Sequence, residues 1–507
     1  MESAAFTLPP EHEGRLWLMD LIHNPRALPP LAADLQVAAA DFSPLDLDQL
    51  AVNGYLYGSP RSMAPQPEPP ALPPGQALRN WEDTFFPATR RAYEHFRHAD
   101  YDAMDAPTVL AFIQAALPNT FETFANTIVS AMQLGPDADR LYKFLEGKLG
   151  AEADLLSAAI LHGSGSQTRS LGDEVQALAE AARNSPGVEP ALRGGDYSAA
   201  AAMKAEPWAS ALKAFIDDHE DELALWSEIH VPAWNEDPVP LMRQVAATLS
   251  SPGHGRRDSA AAAIEETRQR LAAEDLAEFE AAIAHSRDYV PVIEHRARWQ
   301  LKLLGGGRRT LLALGQKLVA ANVIDEPNDI FFLHLDELDL AASTSGDFRQ
   351  TVAERKDAWQ AQLRMKPPMT LGLPIPIEMV GMMSPMLRRM FGAVALPEAT
   401  ETTISGIGAN KGVVRGRARI VRGLDEAEDL VDGDILVCPS TSPPWTPYFA
   451  VVSAIVTDAG GVLSHAAIEA REYGIPAVVG TREGTRRIPE GATITVDGEA
   501  GTVTIEP

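Results

Sequence analysis

The segment 451–480 constrains the fold most, because it switches between strand and helix signals over a short distance. Its first part, residues 451–456, is mostly β-branched and contains no proline, which predicts a strand. Gly460 and Gly461 follow, and their missing side chains allow other atoms to approach the backbone closely. Residues 477–479 form another extended run. The segment therefore predicts two strands, with a glycine turn after the first.

The residues between the glycine pair and the second strand predict a short helix. Ser464 is a candidate N-cap, and residues 466–473 are mostly strong helix formers. Gly474 suits the left-handed position that ends many helices. His465 then lies at the helix N-terminus, where unpaired N–H groups and the helix dipole disfavour an imidazolium. We therefore expect a neutral, nucleophilic His465, whose phosphorylated form the same groups would stabilise.

The runs 460–468 and 470–480 resemble the phosphohistidine swivelling domain of the PEP-utilising enzymes, which include pyruvate phosphate dikinase, PEP synthase and rifampin phosphotransferase. The resemblance implies that His465 carries a phosphoryl group and that the domain swings between a nucleotide site and an acceptor site. We expect Gly460, Gly461 and Ser464 to contact the phosphate. The alternative is a histidine that only caps a helix.

Length and charge limit the class of protein. A chain of 507 residues is too long for one ordinary domain. The formal net charge of -27 argues against nucleic acid or an anionic membrane as the main partner. Cys438 is the single cysteine, which rules out an internal disulfide. With neither a signal peptide nor an apolar run that could span a bilayer, we expect a cytoplasmic protein.

Changes in periodicity divide the chain. Residues 1–75 predict mostly irregular structure, with proline clusters and one short helical or extended piece around residues 15–22. Helical patterns follow, and short β segments dominate from residue 404 onward. We therefore predict an α+β multidomain protein. Residues 1–394 would form a large, mostly helical acceptor-binding domain with a proline-rich N-terminal strap, residues 395–403 a hinge, and residues 404–507 a small swivelling β/β/α phosphohistidine domain. The glycine triplet at residues 305–307 predicts a helix break.

Two histidines of the helical part are candidate general bases. The segment 232–238 resembles the second half of an element in PEP synthases and rifampin phosphotransferase, whose first half, Gly-x-Arg, is replaced here by the region of His219. Phosphorylation of a hydroxyl group needs a base that takes its proton, and histidine has a suitable pKa. His219 and His230 are the candidates for this base. For each of them, a packed or solvated structural role stays open.

Other side chains are candidates for binding the phosphoryl group and the acceptor. Cations suited to a phosphoryl group are Arg296, Arg298 and Lys302, with ordinary surface charge as the alternative. Thr441 and Thr446, in a loop that also resembles the family, are candidate phosphate contacts or simply loop packing. The aromatic residues that could form apolar walls for an acceptor, or alternatively core, are Trp81, Phe85, Phe121 and Phe124.

The predicted donor side of the reaction lies outside this sequence. We recognise no nucleotide-binding module before residue 404 and no pyruvate-binding barrel after the histidine segment. We therefore expect ATP and Mg²⁺ to bind a separate ATP-grasp subunit, and we predict neither a metal site nor a bound cofactor for this chain.

The leading hypothesis is one component of a split dikinase, similar in arrangement to phenylphosphate synthase. The partner would transfer a phosphoryl group from ATP to His465, which would pass it to the hydroxyl of a phenolic or other hydroxyaromatic acceptor. One alternative is a component of a rifamycin-type antibiotic phosphotransferase. Another is a non-catalytic homologue that binds a ligand and regulates a partner.

Overall fold

A computed structural model of the chain describes residues 6–62, 72–163, 171–223, 228–250, 259–286, 289–343, 346–374, 385–392 and 400–506. Helices form most of the described chain up to residue 391. A four-stranded sheet lies within this helical part, and an eight-stranded sheet forms the C-terminal part. The predicted α+β class, with a large helical part and a small C-terminal β domain, is confirmed.

The helices α1 to α19 are, in chain order, Pro30–Ala39, Gln76–Asn80, Phe86–Arg97, Ala106–Met132, Gly135–Leu149, Ala153–Gly163, Leu171–Arg183, Val188–Arg193, Tyr197–Ala202, Trp208–Asp218, Val239–Ser250, Ser259–Arg270, Leu276–Ser286, Tyr289–Ala320, Leu338–Ala342, Arg349–Gln362, Pro385–Phe391, His465–Tyr473 and Gly484–Arg487. A π-helical turn, Trp81–Phe85, joins α2 to α3. In the described part of the chain, no helix is both long and apolar enough to cross a membrane.

The strands β1 to β12 are Leu16–Met19, Leu47–Val52, Tyr55–Pro60, Thr370–Gly372, Thr403–Ser405, Ile407–Asn410, Val413–Ile420, Asp434–Cys438, Ala454–Thr457, Ala477–Val479, Thr493–Asp497 and Thr502–Ile505. The first sheet has the order β2-β3-β1-β4, and the second has the order β5-β12-β11-β7-β8-β9-β10-β6.

The N-terminal region is more regular than predicted. Strands β1, β2 and β3 and helix α1 lie within residues 1–75, so the expectation of mostly irregular structure is wrong. Strands β2 and β3 form a hairpin in which Val52 pairs with Tyr55, and both turn residues, Asn53 and Gly54, have positive φ. An Asn-Gly pair accommodates this turn type without strain, which explains why the hairpin forms here.

Helix α14 is continuous through the glycine triplet, so the predicted helix break at residues 305–307 is also wrong. A Cβ atom on Gly305 would lie 1.6 Å from the carbonyl oxygen of Asp221, and one on Gly306 would lie 3.1 Å from the ring of Phe96. The glycines therefore allow α14 to approach α3 and the segment that follows α10. Close packing, and not a change of direction, accounts for them.

The C-terminal sheet has four parallel strands, β7 to β10, at its centre and antiparallel strands at its edges. All residues of β8 and β9 are buried, as expected of strands that are covered on both faces. Helix α18 contributes Ala466, Ala467 and Ala470 to the core on one face. Ile488, just after α19, belongs to the core on the other face. This sheet begins at Thr403, and the predicted domain boundaries at 394 and 404 stay predictions.

The glycine turn before α18 contacts the helical part directly. The N–H groups of Gly461 and Leu463 donate to the carbonyl oxygens of Met390 and Arg389, at 3.0 and 3.1 Å. Leu463 also packs in the same apolar cluster as Trp81. The C-terminal sheet is therefore docked on the helical part in this structure. Residues 395–399 of the predicted hinge lie outside the described residues, and the hinge stays a prediction.

Candidate active site

The predicted carrier histidine lies at the carboxyl edge of the parallel strands. Strands β8 and β9 run side by side, with Cys438 paired to Thr457 at their ends. The loops that follow these two ends therefore start next to each other. His465 closes the second loop, as the first residue of α18. Carboxyl edges of parallel strands are where open α/β sheets usually bind ligands.

Two threonines from the first loop hold the His465 ring. The Thr441 hydroxyl lies 2.8 Å from Nδ1, and the Thr446 hydroxyl lies 3.2 Å from Nε2. Glu469, one turn further along α18, places a carboxylate oxygen 3.8 Å from Nε2. The ring of Phe449 meets the imidazole edge to face, with 5.9 Å between centroids. These contacts fix the orientation of the ring and place both threonines beside it. Contact of the two threonines with a phosphate stays a prediction.

Burial keeps His465 neutral. Only 18% of its side chain is exposed, and burial lowers its pKa to about 3. Burial disfavours the charged imidazolium, because water no longer solvates it. Burial therefore favours the neutral ring that the sequence predicts from the helix N-terminus. A neutral imidazole keeps a nitrogen lone pair that can attack phosphorus.

The glycine turn is tightly closed around Ser464. Gly460 has a φ of 105°, and a Cβ atom there would lie 2.7 Å from the Ser464 hydroxyl oxygen. Ser464 occupies the N-cap position but makes no capping hydrogen bond with its side chain, which departs from the prediction. Among the described residues, its buried hydroxyl has no hydrogen-bond partner. The expected phosphate contacts of Gly460, Gly461 and Ser464 stay predictions.

His219 lies in a separate buried cluster. Its Nδ1 is 2.9 Å from a carboxylate oxygen of Glu222, and its Nε2 is 2.8 Å from one of Glu174. Burial works against the charged ring, but the hydrogen bonds to Glu174 and Glu222 outweigh it and raise the pKa of His219 to about 9. The ring is therefore protonated near neutral pH, with both N–H groups donated to carboxylates. This arrangement disfavours the predicted role as a general base.

Two of the three predicted cations belong to the His219 cluster. Arg298 contacts Glu222 and Asp218, and Lys302 donates to the carbonyl oxygen of Asp218 at 2.7 Å. Burial disfavours the charge of Arg298, yet Glu222 and Asp218 raise its pKa overall. Arg296 points elsewhere, donates to Gln300 and has its pKa lowered to about 10 by burial. The structure therefore does not bring the three cations together.

One group of side chains in this cluster has the donor set of a metal site. Potential ligand atoms of Glu174, Asp218 and His219 all lie within 4.8 Å of one another. However, the guanidinium of Arg298 already contacts Asp218, and the His219 ring is protonated near neutral pH. A divalent cation would have to displace these positive charges, so the residues do not fit a metal ion well.

His230 is buried away from solvent. Its side chain is 11% exposed and packs edge to face against Trp359, with 5.5 Å between ring centroids. Burial, with the charges of Arg26 and Arg308, lowers the pKa of His230 to about 3. Within the described chain, its buried Nδ1 has no hydrogen-bond partner. A ring that binds a proton so weakly is a poor general base near neutral pH.

The four predicted acceptor-binding aromatics do not share one pocket. Trp81 is fully buried and packs with Phe85 in the cluster that also holds Leu463. Phe121 contacts Phe42, with 5.6 Å between ring centroids, and lines a groove of about 350 Å³. Phe124 packs in a third cluster, with Phe96 and Phe112. Core packing, which the sequence left as the alternative, describes Trp81 best.

An Asp-His pair in the turn after β1, where the sequence left His23 open as a site residue or a surface or turn histidine, meets the His465 loop. The Ser440 hydroxyl donates to the carbonyl oxygen of Ile22 at 3.4 Å, and Ser440 precedes Thr441. Next to Ile22, Nδ1 of His23 lies 3.2 Å from a carboxylate oxygen of Asp20. The spacing Asp20-x-x-His23 is readable in the sequence, but no local signal indicates its proximity to residue 440.

The fold and the site together describe a small β/α domain that presents a buried, neutral histidine and is docked on a helical part. Residues 430–501 match the family described as "PEP-utilising enzyme, mobile domain", and residues 123–294 match "Rifampicin phosphotransferase fourth domain". The resemblance to the PEP-utilising enzymes that was stated from the sequence is therefore confirmed over these two segments.

Several curated relatives are similar to parts of the chain. Chondramide synthase cmdD of Chondromyces crocatus is 35% identical over 58% of this chain and 8% of its own length. Uncharacterized phosphotransferase YvkC of Bacillus subtilis (strain 168) is 39% identical over 38% of this chain and 23% of its own length. Rifampicin phosphotransferase of the same strain is 34% identical over 39% of this chain and 21% of its own length. The chain thus spans less than a quarter of each of these relatives.

Proposed function

We propose that this chain is a phosphotransferase component in which His465 accepts a phosphoryl group and passes it to a hydroxyl group of an acceptor. The observation that carries the proposal is the neutral His465 ring, held between Thr441 and Thr446 at the carboxyl edge of parallel strands. A lone pair on this ring can attack phosphorus, and the free N–H groups at the start of α18 would stabilise the anionic product.

The docked position supports a role in the second half of the reaction. The glycine turn contacts Arg389 and Met390, and the His465 loop reaches Ile22 of the N-terminal region. We infer that this is the state in which phosphohistidine faces the acceptor. Charging of His465 would require the domain to leave this position, by rotation about the segment 395–403.

The donor in this proposal is ATP bound with Mg²⁺ to a separate ATP-grasp subunit. That subunit would transfer the β-phosphoryl group to His465: AMP leaves as the bond between the α- and β-phosphates breaks, and water hydrolyses the bond between the β- and γ-phosphates to release phosphate. The acceptor would be a phenol or another hydroxyaromatic molecule, as the similarity in arrangement to phenylphosphate synthase implies. Use of ATP suits a cytoplasmic protein.

The proposal is tested by phosphorylation of the purified chain. Wild type, His465→Asn and His98→Gln are incubated with β-³²P-labelled ATP plus the ATP-grasp protein from the same genome, and separately with phosphoramidate as a small phosphoryl donor. His98 is an exposed histidine and serves as the matched control. An acid-labile label is expected on wild type and His98→Gln but not on His465→Asn. An unlabelled wild type, or label that survives the loss of His465, would contradict the proposal.

A second candidate is a component of a rifamycin-type antibiotic phosphotransferase. It is favoured by the match of residues 123–294 to the fourth domain of rifampicin phosphotransferase and by the curated relatives of that name. The two candidates differ in acceptor only. Phosphorylated wild type is therefore mixed with phenol or with rifampicin, and the acceptor that gains the label decides between them. A regulatory, non-catalytic homologue would bind the ligand and take up no label.

A further inference from the structure

The turn after β1 presents a histidine that is oriented by a carboxylate. Asp20 accepts hydrogen bonds from the backbone N–H of His23 at 3.1 Å and from the side-chain amide of Asn24 at 2.9 Å, besides its contact with Nδ1 of His23. The Asp20 backbone is itself fixed, because its N–H donates to the carbonyl oxygen of Leu56 at 2.9 Å. The carboxylate is therefore rigid and holds the His23 ring in one orientation.

The pKa shifts of Asp20 and His23 are those expected of an imidazole that an ionised carboxylate holds in place. Burial alone would raise the pKa of Asp20, but interactions with His23 and Asn24 lower it to about 2. Partial burial and the Arg296 charge work against protonation of His23, yet Asp20 outweighs them and raises the pKa of His23. Asp20 thus stays ionised and can stabilise an imidazolium on His23. A carboxylate on Nδ1 also selects the neutral tautomer whose lone pair lies on Nε2.

The pair lies beside the His465 loop. Ile22, between Asp20 and His23 in the sequence, accepts a hydrogen bond from Ser440, and the next residue, Thr441, contacts Nδ1 of His465. Two consecutive residues of one loop therefore connect the turn that carries the pair with the predicted carrier. The contact joins the helical part and the C-terminal sheet in the docked state, in which the acceptor would be phosphorylated.

Accessibility separates His23 from the other two histidines considered for this role. The His23 side chain is 45% exposed, whereas those of His219 and His230 are 4% and 11% exposed. Both ring nitrogens of His219 are also engaged by carboxylates. An acceptor molecule can therefore approach His23 without rearrangement of the core, which the other two rings do not allow.

We propose that Asp20 and His23 form the acid-base pair that deprotonates the acceptor hydroxyl when the phosphoryl group leaves His465. This assignment rests on the proposed function. As the acceptor oxygen forms its bond to phosphorus, the bond between phosphorus and the His465 ring nitrogen breaks, and its electron pair returns to the imidazole. The hydroxyl proton passes to Nε2 of His23, and Asp20 stabilises the resulting imidazolium. His23 is the catalytic residue, and Asp20 is a positioning residue.

The test separates charging of His465 from its discharge. Wild type, His23→Gln, Asp20→Asn and the control His98→Gln are phosphorylated with phosphoramidate, and loss of the phosphohistidine signal is followed by ³¹P NMR with phenol or rifampicin as acceptor. We expect equal charging of all four proteins. Discharge should slow by about 10²-fold or more in His23→Gln, which is typical for loss of a general base, and stay unchanged in His98→Gln.

Asp20→Asn tests whether the carboxylate changes the pKa of His23 or only supports the structure of the turn. Without the carboxylate, the pKa of His23 should fall, so the pH at which discharge reaches half its maximum should shift to lower pH. Discharge of His23→Gln at the wild-type rate, or an unshifted pH dependence of discharge in Asp20→Asn, would contradict the role of the Asp20–His23 pair and leave the proposed function intact. A wild type that is not charged on His465, or that discharges to neither acceptor, would overturn the proposed function and the pair with it.

Discussion

The hydroxyl of Thr441 lies 2.8 Å from Nδ1 of His465, although 24 residues separate the two in the sequence. Strands β8 and β9 produce this contact, because they are parallel neighbours whose carboxyl ends meet. Thr446 adds a contact to the other ring nitrogen. The His465 ring is therefore positioned by the sheet and not by its own helix alone.

The first prediction concerns these two hydroxyl groups. Thr441→Val and Thr446→Val each remove one hydrogen bond that orients the His465 ring while nearly conserving volume. Since such a bond contributes about 1 kcal/mol, we expect phosphorylation of His465 by phosphoramidate to slow by about fivefold in each variant. The measurement is the initial rate of phosphohistidine formation. Thr504→Val, on an exposed position of β12, is the control; equal rates in all three variants would show that the hydroxyls do not orient the ring.

The second prediction is the pH dependence of stability due to His465. Its folded pKa of about 3 lies below the value of about 6.5 for an unfolded chain. Between these values the unfolded chain binds a proton that the folded chain does not, so the free energy of unfolding decreases as pH falls from 6.5 toward 3. His465→Gln removes this penalty.

We therefore expect the stability of His465→Gln, relative to wild type, to increase by about 1 kcal/mol for each pH unit below 6.5. Urea unfolding at pH 7, 6 and 5 measures this difference. His98→Gln changes an exposed histidine, and its difference from wild type should stay constant. A difference for His465→Gln that does not change with pH would mean that the ring titrates normally in the folded protein.

The third prediction concerns the His219 cluster, in which the sign is opposite. The folded pKa of about 9 lies above the unfolded value, so the stability contributed by the His219 ion pairs is fully present below about pH 6.5 and is lost as pH rises through 9. His219→Gln leaves Glu174 and Glu222 without their cation. Loss of one partner of a buried pair costs about 3 kcal/mol.

We expect His219→Gln to be destabilised by about that amount at pH 6 and by much less at pH 10. Chemical unfolding of wild type and variant at both pH values tests this. Phosphorylation of His465 at pH 7 should stay at the wild-type rate in protein that remains folded, because the cluster is separate from the carrier ring. A variant that is equally destabilised at both pH values would contradict a charged His219.

Local signals were sufficient to predict the secondary structure around His465. Strand, glycine turn, helix and His465 follow one another within residues 451–480, and each is encoded by its neighbours in sequence. The Asn53-Gly54 hairpin was encoded just as locally, and its turn signal could have corrected the expectation of irregular structure before β4. The candidate site was therefore predictable where short-range geometry determines it.

Contacts between distant segments were not predictable in this way. The hydrogen bond between Ser440 and Ile22 joins residues that are 418 positions apart. Arg296 and Arg298 have different hydrogen-bond partners, because, among the contacts described above, the neighbouring segments bring an acidic residue close to Arg298 only. Helical spacing gives the face of a helix on which a cation lies, but it does not give the partner that packs against that face.

The fourth prediction concerns docking of the C-terminal sheet. A Cβ atom on Gly461 would lie 2.1 Å from the carbonyl oxygen of Arg389, so Gly461→Ala is expected to separate the turn from α17. Docking is measured by disulfide formation between Ile22→Cys and Ser440→Cys, since these residues touch in the docked state. Cross-linking should decrease several-fold with Gly461→Ala and stay unchanged with Gly14→Ala, where a Cβ meets nothing within 4 Å. Equal cross-linking would show that the turn is not required for docking.

The fifth prediction distinguishes close packing from helix breaking at the glycine triplet. Gly305 and Gly147 both lie inside helices, so alanine should improve helix propensity by about 1 kcal/mol at either position. At Gly305, however, the new Cβ would lie 1.6 Å from the backbone of Asp221, whereas at Gly147 it meets nothing within 4 Å. We expect Gly147→Ala to stabilise the protein slightly and Gly305→Ala to destabilise it by about 2 kcal/mol or more, because α14 must move away from residue 221. Urea unfolding of the two variants measures the difference, and a stabilised Gly305→Ala would mean that α14 does not pack as closely as the structure has it.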